Sequence, residues 1–181
     1  IYKNINEIWT QVGSDIDGDT NSNNSGRSVS LSDDGSVVAI AGGRARVYQN
    51  VGDKWIKVWE EVNGGRSISL SADGSVVAIG SSDIDENGLR TGHIRLYKNT
   101  NGTWGKAGND IKEEDNFDYS GKSVSLSSDG SVVAIGSWIN NRNGTNSGHT
   151  KIYQNKNGNW SQVGSVIGGE APFDYSGYSV S

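Results

Sequence analysis

The sequence contains no cysteine, no methionine and a single proline among 181 residues. Without cysteine the protein can form neither a disulfide bond nor a reactive thiolate. No apolar run approaches the roughly 18 residues that a membrane-spanning helix needs. Acidic and basic residues are interspersed and the net charge is −5, so the chain has no polybasic stretch suited to nucleic acid. We therefore expect neither a nucleic-acid partner nor insertion into a membrane.

A sustained 3.6-residue apolar period, the mark of an amphipathic helix, is missing as well. Only 33% of the residues are hydrophobic, whereas glycine alone contributes 26 residues. This composition is typical of short strands joined by many turns. The sequence therefore predicts an all-β protein in which helix is nearly absent.

The chain repeats one phrase. Residues 65–80 return as residues 121–136 after a spacing of 56 residues, and the two copies share Ser-x-Asp-Gly-Ser-Val-Val-Ala-Ile-Gly. An earlier copy occupies residues 26–41, and a further copy begins at residues 177–181. A repeat of this length indicates one supersecondary unit used several times.

Each repeat carries four strand signals separated by turn signals. The unit 121–176 shows two tight hairpin signals, Asp129-Gly130 and Asn157-Gly158. Four antiparallel strands per unit of this size are typical of a β-propeller blade, and a solenoid of stacked strands is the competing architecture. The predicted strands are Ser123–Ser127, Ser131–Gly136, Gly148–Gln154 and Trp160–Val163.

The repeat divides the chain into one β-propeller segment that enters and leaves in mid-blade. One blade is short because it lacks 10 residues before Tyr48 and 7 residues after it, and both deletions fall in loops. Three blades and a fraction are too few for a ring of typically four to eight blades. We expect an incomplete ring, completed either by more of the same protein or by assembly of several chains. The predicted segments are 1–25 (end of a blade), 26–64 (short blade), 65–120 (blade), 121–176 (blade) and 177–181 (start of the next blade).

A tyrosine and a tryptophan recur seven residues apart in every copy of one hairpin. Two hypotheses explain these aromatic pairs: they pack one blade against the next, or they form a row of platforms for sugars. The pairs are Tyr2 and Trp9, Tyr48 and Trp55, Tyr97 and Trp104, and Tyr153 and Trp160.

The phrase Tyr175-Ser-Gly-Tyr-Ser-Val-Ser181, together with the repeated Ser-x-Asp-Gly-Ser-Val-Val-Ala-Ile-Gly, resembles the FG-GAP repeat of integrin-alpha-like β-propellers. A WD40-like propeller repeat is the second choice. The resemblance covers essentially the whole chain and implies a propeller on the cell surface or outside the cell. It also implies calcium in a loop between the first two strands. Here that place holds only Asp34, Asp73 and Asp129, one in each copy, and a single carboxylate cannot fill a site of six to eight oxygens.

One other loop has calcium-like spacing. Asp83, Asp85 and Asn87 alternate along the chain and precede Gly88, as the oxygen ligands of a calcium loop do. The alternative is a solvated turn. No other cofactor is expected. Acidic residues also recur between blades, where they either bind cations or a basic partner or form a solvated face; they are Asp15, Asp17, Asp19, Glu113, Glu114, Asp115, Asp118, Glu170 and Asp174.

Trp138 is a candidate binding residue because it follows a strand in a long loop and has no tryptophan counterpart in the other repeats. It is either a contact anchor or part of local packing. His93 and His149 occupy identical repeat positions, which favours a structural role for both. We expect no catalytic residue. The possible N-glycosylation sites are Asn23, Asn101, Asn143 and Asn159.

These features favour a non-enzymatic extracellular glycoprotein, used for adhesion, for protein–protein interaction or as a structural part of a larger surface assembly. Its partners would be other protein chains or further blades of the same protein. The alternative is a carbohydrate-binding, lectin-like propeller that closes its ring by oligomerising and binds glycans. A propeller enzyme is the third class, and we expect it least because a catalytic site would break the repeat with asymmetric polar residues.

Overall fold

The structure is a computed structural model that describes residues 1–18, 24–62, 65–81, 92–112 and 119–181. Within these ranges the regular structure is β-strand only, as the sequence predicts. No helix in the described part of the chain is long and apolar enough to cross a membrane. The strands are β1 (Tyr2–Ile5), β2 (Ile8–Gln11), β3 (Ser28–Leu31), β4 (Val37–Ala41), β5 (Ala45–Asn50), β6 (Trp55–Glu61), β7 (Ser67–Leu70), β8 (Val76–Ser81), β9 (His93–Thr100), β10 (Thr103–Lys106), β11 (Ile111–Lys112), β12 (Ser123–Leu126), β13 (Val132–Ser137), β14 (His149–Lys156) and β15 (Asn159–Gly168).

The strands form an N-terminal hairpin, β1–β2, and three antiparallel sheets in chain order. Sheet 1 contains β3–β6, sheet 2 contains β7–β10 with β11 beside β9, and sheet 3 contains β12–β15. The four strands predicted for residues 121–176 are therefore present. The last one is longer than predicted, because a bulge between Thr150 and Ile152 allows β15 to remain paired with β14 as far as Gly168.

The turn between the first two strands of each sheet is held by its aspartate. In sheet 3 the Asp129 carboxylate accepts hydrogen bonds from the Ser127 hydroxyl at 2.7 Å and the Ser131 amide at 2.9 Å. Gly130 has a φ of 68°, which a glycine adopts without strain. The same bonds recur at Asp34 and Asp73. The repeated carboxylates thus act as acceptors inside their own turns.

The first strands of successive sheets lie side by side. The amides of Ile68 and Leu70 on β7 donate to the hydroxyls of Ser28 and Ser30 on β3, at 3.2 and 3.0 Å. One sheet further on, the Leu126 amide donates to the Ser69 hydroxyl at 3.0 Å. Small polar residues on these strands therefore join neighbouring sheets, which explains their alternation with apolar residues. The sheets follow one another in a propeller-like arrangement.

Apolar side chains fill the space between neighbouring sheets. Between sheets 2 and 3, Ala78, Ile94 and Ile111 pack with Val124 and Ile135. An equivalent cluster joins sheets 1 and 2. Glycines allow close approach at these contacts. A Cβ on Gly80 would lie 2.4 Å from the Gly121 carbonyl oxygen, between sheets 2 and 3, and one on Gly136 would lie 2.0 Å from that of Gly177, in the segment after sheet 3.

The recurring tyrosines and tryptophans of the three sheets lie in this packing. Tyr48 and Tyr97 are buried. The indole nitrogens of Trp55 and Trp160 donate to backbone carbonyls of the preceding hairpin or sheet, at Val12 and Ala107 respectively. These contacts agree with the hypothesis of packing between blades, and they leave the buried rings unavailable as sugar platforms.

Candidate binding surface

Trp138 lies at the centre of an aromatic cluster at the end of β13. Its ring centroid is 5.6 Å from that of Tyr175 and 5.5 Å from that of Tyr178, with an edge-on approach of 84° to the latter. Phe173 extends the cluster, with its ring 6.4 Å from Tyr175. These separations are within the favourable range for aromatic pairs. Trp138 is half-buried, whereas the other three rings are exposed and together form a continuous apolar surface.

A lysine belongs to the same surface. The Lys122 ammonium is 4.7 Å from the ring centroid of Tyr178 and 5.8 Å from that of Trp138, within reach of cation–π attraction. Among the residues that the structure describes, no carboxylate forms an ion pair with Lys122. The aromatic surface therefore carries one positive charge that is not neutralised by an ion pair. We call these five residues, Lys122, Trp138, Phe173, Tyr175 and Tyr178, the aromatic patch.

Backbone hydrogen bonds fix the segment that carries three of the rings. The amides of Phe173 and Tyr175 donate to the carbonyls of Thr145 and Asn146, at 2.8 and 3.1 Å. The Asp174 carboxylate accepts from the amides of residues 170 and 171, each at 2.8 Å. Hydrogen bonds between this segment and residues 145–146 therefore hold the rings in place before any partner binds.

Two of the ring-bearing residues have unusual backbone conformations. Phe173 and Tyr175 have φ values of 67° and 52°, in the left-handed region that bulky residues rarely adopt. Such a conformation costs on the order of 1–3 kcal/mol per residue and is concentrated at binding sites. The Tyr119 φ of 50°, one repeat earlier, shows that part of this geometry belongs to the repeat itself.

The calcium hypothesis falls on residues outside the described ranges, namely Asp83, Asp85 and Asn87. Among the described residues, no group of three or more histidine, cysteine, aspartate or glutamate side chains is placed to hold a metal ion. Calcium at residues 83–87 stays a prediction.

The acidic residues between blades that the structure describes make local contacts. The Asp15 carboxylate accepts from the Gln11 amide at 2.9 Å, and the Asp17 carbonyl accepts from the Arg46 guanidinium at 3.1 Å. Asp174 holds its own loop, as described above. Asp19, Glu113, Glu114, Asp115 and Asp118 lie outside the described ranges.

The two histidines occupy the same place in neighbouring sheets. His93 and His149 begin β9 and β14, and each pairs with a serine, Ser81 or Ser137, on the adjacent strand. His149 is buried. This identical placement agrees with the structural role predicted for both.

The possible glycosylation sites differ in accessibility. Asn101 and Asn159 are exposed at the hairpins β9–β10 and β14–β15. Asn143 is exposed too, but its side-chain amide donates to the Gly169 carbonyl at 2.9 Å. Asn23 lies outside the described ranges.

Sequence reasoning identified Trp138 and missed its neighbours. Tyr175 and Tyr178 were part of the phrase that carries the family resemblance, and Lys122 was one of the variable residues after the repeat glycine. One signal in the sequence could have found them. Residues 122 and 178 occupy the same position in successive repeats, one before and one after the loop that contains Trp138.

Comparisons with known proteins bear on the fold. No protein-family model and no curated protein matches the chain. Among solved structures, the chain is similar to Sqt1 of Saccharomyces cerevisiae, with a TM-score of 0.57 and 13% identity, covering 83% of this chain and 37% of that one. It is also similar to a candidate 6-phosphogluconolactonase from Bacteroides uniformis, with a TM-score of 0.53 and 13% identity, covering 80% of this chain and 41% of that one. The chain thus spans less than half the length of either protein, and both similarities concern the fold alone. The fold defines the class: an all-β repeat protein with propeller-like antiparallel sheets.

Proposed function

We propose that this chain is part of a non-enzymatic extracellular β-propeller that binds other protein chains, for adhesion or within a larger surface assembly. The three sheets are then blades built on four strands of a repeat related to the FG-GAP repeat, 56 residues long in sheets 2 and 3 and shortened in sheet 1, and residues 1–181 form an incomplete ring. The observation that carries the proposal is the aromatic patch, which is exposed, contiguous and positioned by hydrogen bonds.

The composition of the patch is that of a protein-contact site. Tryptophan and tyrosine are the residues most often found as anchors of protein interfaces, since they bury a large apolar area with few rotatable bonds. Lys122 adds a positive charge over the rings Trp138 and Tyr178. A partner surface that combines apolar side chains with a carboxylate is complementary to both features. The exposed Asn101 and Asn159 are compatible with a secreted glycoprotein.

The test measures binding of the purified chain to an array of extracellular-matrix proteins. We expect the Trp138→Ser and Tyr178→Ser variants to lose about 2 kcal/mol or more of binding free energy, the usual effect of truncating an interface anchor. This loss corresponds to an affinity roughly 30-fold weaker. Trp9→Ser is the matched control, because Trp9 is an exposed tryptophan on β2 outside the patch.

Thermal unfolding of each variant shows whether it is folded. If the Trp138→Ser protein is not folded, the Tyr178→Ser protein alone provides the test. Binding that both patch variants retain at full strength contradicts the proposal. The second candidate function is carbohydrate binding, which the exposed ring faces of Phe173 and Tyr175 favour because they suit the apolar faces of sugars. Binding of simple sugars on a glycan array, lost in the same variants, would establish that alternative instead.

A further inference from the structure

A second surface, independent of the aromatic patch, lies between the N-terminal hairpin and sheet 1. A groove of about 450 Å³ opens there, lined mainly by apolar side chains together with Asp15, Asp17 and Ser25. Strands β3 and β4 form one wall, and the start of β1 with the segment after β2 forms the other. Its apolar lining consists of Ile1, Ile16, Val29, Leu31, Val38 and Ile40.

Residues of β3 in this groove are exposed although their counterparts are buried. Val29 is 62% exposed, whereas Ile68 and Val124, at the same position in sheets 2 and 3, are 5% and 7% exposed. Leu31 is 49% exposed, and its counterpart Leu70 is 7% exposed. The Val29 position is thus covered in two sheets and open in one. The open copy therefore has the shape and chemistry of a surface that a neighbouring sheet covers.

The two covered copies show what the covering element is. Val124 belongs to a cluster with Ala78 of β8 and Ile94 of β9, the second and third strands of the preceding sheet. In the groove such a preceding sheet is present only in part. The N-terminal hairpin and the segment after it supply that part, because Ile1 and Ile16 pack against Val38 and Ile40. Within the described residues, β1 pairs with β2 alone, so the first two strands of a four-stranded sheet have no counterpart beside it.

The polar groups add a second requirement. In sheet 2 the amides of Ile68 and Leu70 donate to serine hydroxyls of the preceding first strand. The equivalent amides on β3 are those of Val29 and Leu31. A strand that covers them must therefore offer hydroxyl groups at two alternate positions, with small apolar residues on the strand that follows.

We propose that the groove binds a two-stranded β-hairpin with the sequence pattern of this repeat, Ser-Val-Ser-Leu on one strand and Val-Val-Ala-Ile on the other. Its second strand pairs with the open edge of β1, completes a four-stranded sheet and covers the side chain of Val29. Its first strand offers serine hydroxyls to the amides of Val29 and Leu31. The hairpins β3–β4, β7–β8 and β12–β13 are each engaged in their own sheets. The occupant is therefore a hairpin of the same repeat other than these three.

The test titrates the protein with a synthetic peptide of the sequence of residues 121–137, which contains one such hairpin. We expect one peptide to bind per chain and to slow hydrogen exchange at the amides of β1 and β3. Val29→Asp should weaken binding by roughly tenfold or more, because it places a charge in the apolar contact. Val51→Asp is the control, since Val51 is a valine with 59% exposure outside the groove.

A covalent version avoids self-association of the peptide. A copy of residues 121–151 placed before Ile1 keeps the repeat spacing and supplies the two strands within one chain. We expect this fusion to unfold at a higher temperature than the original chain, and the gain to disappear with Val29→Asp. An unchanged unfolding temperature, or equal peptide binding by the Val29→Asp and Val51→Asp proteins, overturns the proposal. Dimers of the original chain that Val29→Asp dissociates in sedimentation would identify a second copy as the occupant and also overturn it.

Discussion

At the scale of single residues, the aspartate of each Ser-x-Asp-Gly turn illustrates how one side chain organises the backbone around it. Hydrogen bonds from Ser127 and Ser131 lower the pKa of Asp129 to about 2, and similar bonds lower the pKa values of Asp73 and Asp34. The ionised form is the better acceptor, so these turns are strongest when the carboxylates are charged. The turns connect the first two strands of each sheet, and their stability therefore depends on pH.

The resulting prediction concerns acid. Because the pKa of Asp129 is lower in the folded protein than the unfolded value of about 3.9, its contribution is complete above about pH 4. That contribution is lost as the pH falls through about 2. We expect Asp129→Asn to lower the thermal midpoint at pH 7 and to leave it nearly unchanged at pH 2. Thermal unfolding followed by circular dichroism at both pH values measures this difference.

The control is Asp53→Asn, because the Asp53 carboxylate makes no hydrogen bond within the described part of the chain. Its effect on the thermal midpoint should not depend on pH in this way. A gap between the Asp129→Asn protein and the unaltered protein that is as large at pH 2 as at pH 7 would show that the turn is not held by the carboxylate.

At the scale of the strands and sheets, sheet 1, which is formed by the short repeat, shows how a changed loop is accommodated. The residue four positions after the repeated tryptophan is Gly13, Gly108 or Gly164, each with positive φ, but in sheet 1 it is Trp59. The Trp59 ring packs 4.6 Å from the ring of Tyr97 in sheet 2. Gly13 and Gly108 lie against the indoles of Trp55 and Trp160. At this position in sheet 1 the large ring of Trp59 is present instead.

The equivalent tryptophans of sheets 2 and 3, Trp104 and Trp160, differ in their hydrogen bonding. Trp160 donates its indole N–H to the Ala107 carbonyl at 2.7 Å, but the equivalent nitrogen of Trp104 is buried with no hydrogen-bond partner among the described residues. Trp104 instead packs 5.6 Å from the ring of Trp59. A buried donor without a partner lowers stability, whereas a bonded one raises it.

We therefore expect Trp160→Phe to destabilise the protein by about 1 kcal/mol more than Trp104→Phe, because only Trp160→Phe breaks a partly buried hydrogen bond. The two substitutions remove the same atoms from equivalent positions, so that each serves as the control for the other. Urea unfolding of both variants measures the difference. Equal losses of stability would mean that the bond from Trp160 to Ala107 contributes nothing.

At the scale of the whole molecule, sheet 2 is protected on both faces, whereas sheets 1 and 3 each have one open face. All six residues of β8 are buried. Among the first strands of the three sheets, β7 is mostly buried, whereas β3 is partly exposed along its length and β12 is mostly half-buried. Stability in a chain of stacked units is shared between neighbours, so the middle unit is held by two interfaces. Local opening should therefore begin at the outer sheets.

Hydrogen exchange followed by mass spectrometry tests this expectation. Amides of β7 and β8 should exchange more slowly than those of β3 and β12, the first strands of the outer sheets, because sheet 2 must lose two interfaces before it opens. Peptides from β4 provide an internal reference, since β4 is also mostly buried but belongs to an outer sheet. Equal exchange in β4 and β8 would indicate that the three sheets open together.

The sequence alone determined the all-β class, the four main strands of each sheet and the turns between them, but not β11 or the length of β15. Their signals are local: alternating serine and apolar residues, Asp-Gly and Asn-Gly turns, and a phrase that returns after 56 residues. The recurring tyrosine and tryptophan pairs could be read either as packing or as sugar platforms, and the neighbouring sheets decided in favour of packing for the buried rings.

Only the tertiary structure decided the surfaces. The aromatic patch joins Lys122 and Trp138 to rings more than thirty residues further along the chain, and no local pattern specifies which of them meet. The groove is likewise invisible in the local sequence, because Val29, Ile68 and Val124 are similar aliphatic residues at the same repeat position, and their exposure depends on what lies next to them. Local sequence sets backbone conformation through sterics and hydrogen bonds, whereas exposure and contact depend on which sheets are neighbours in space.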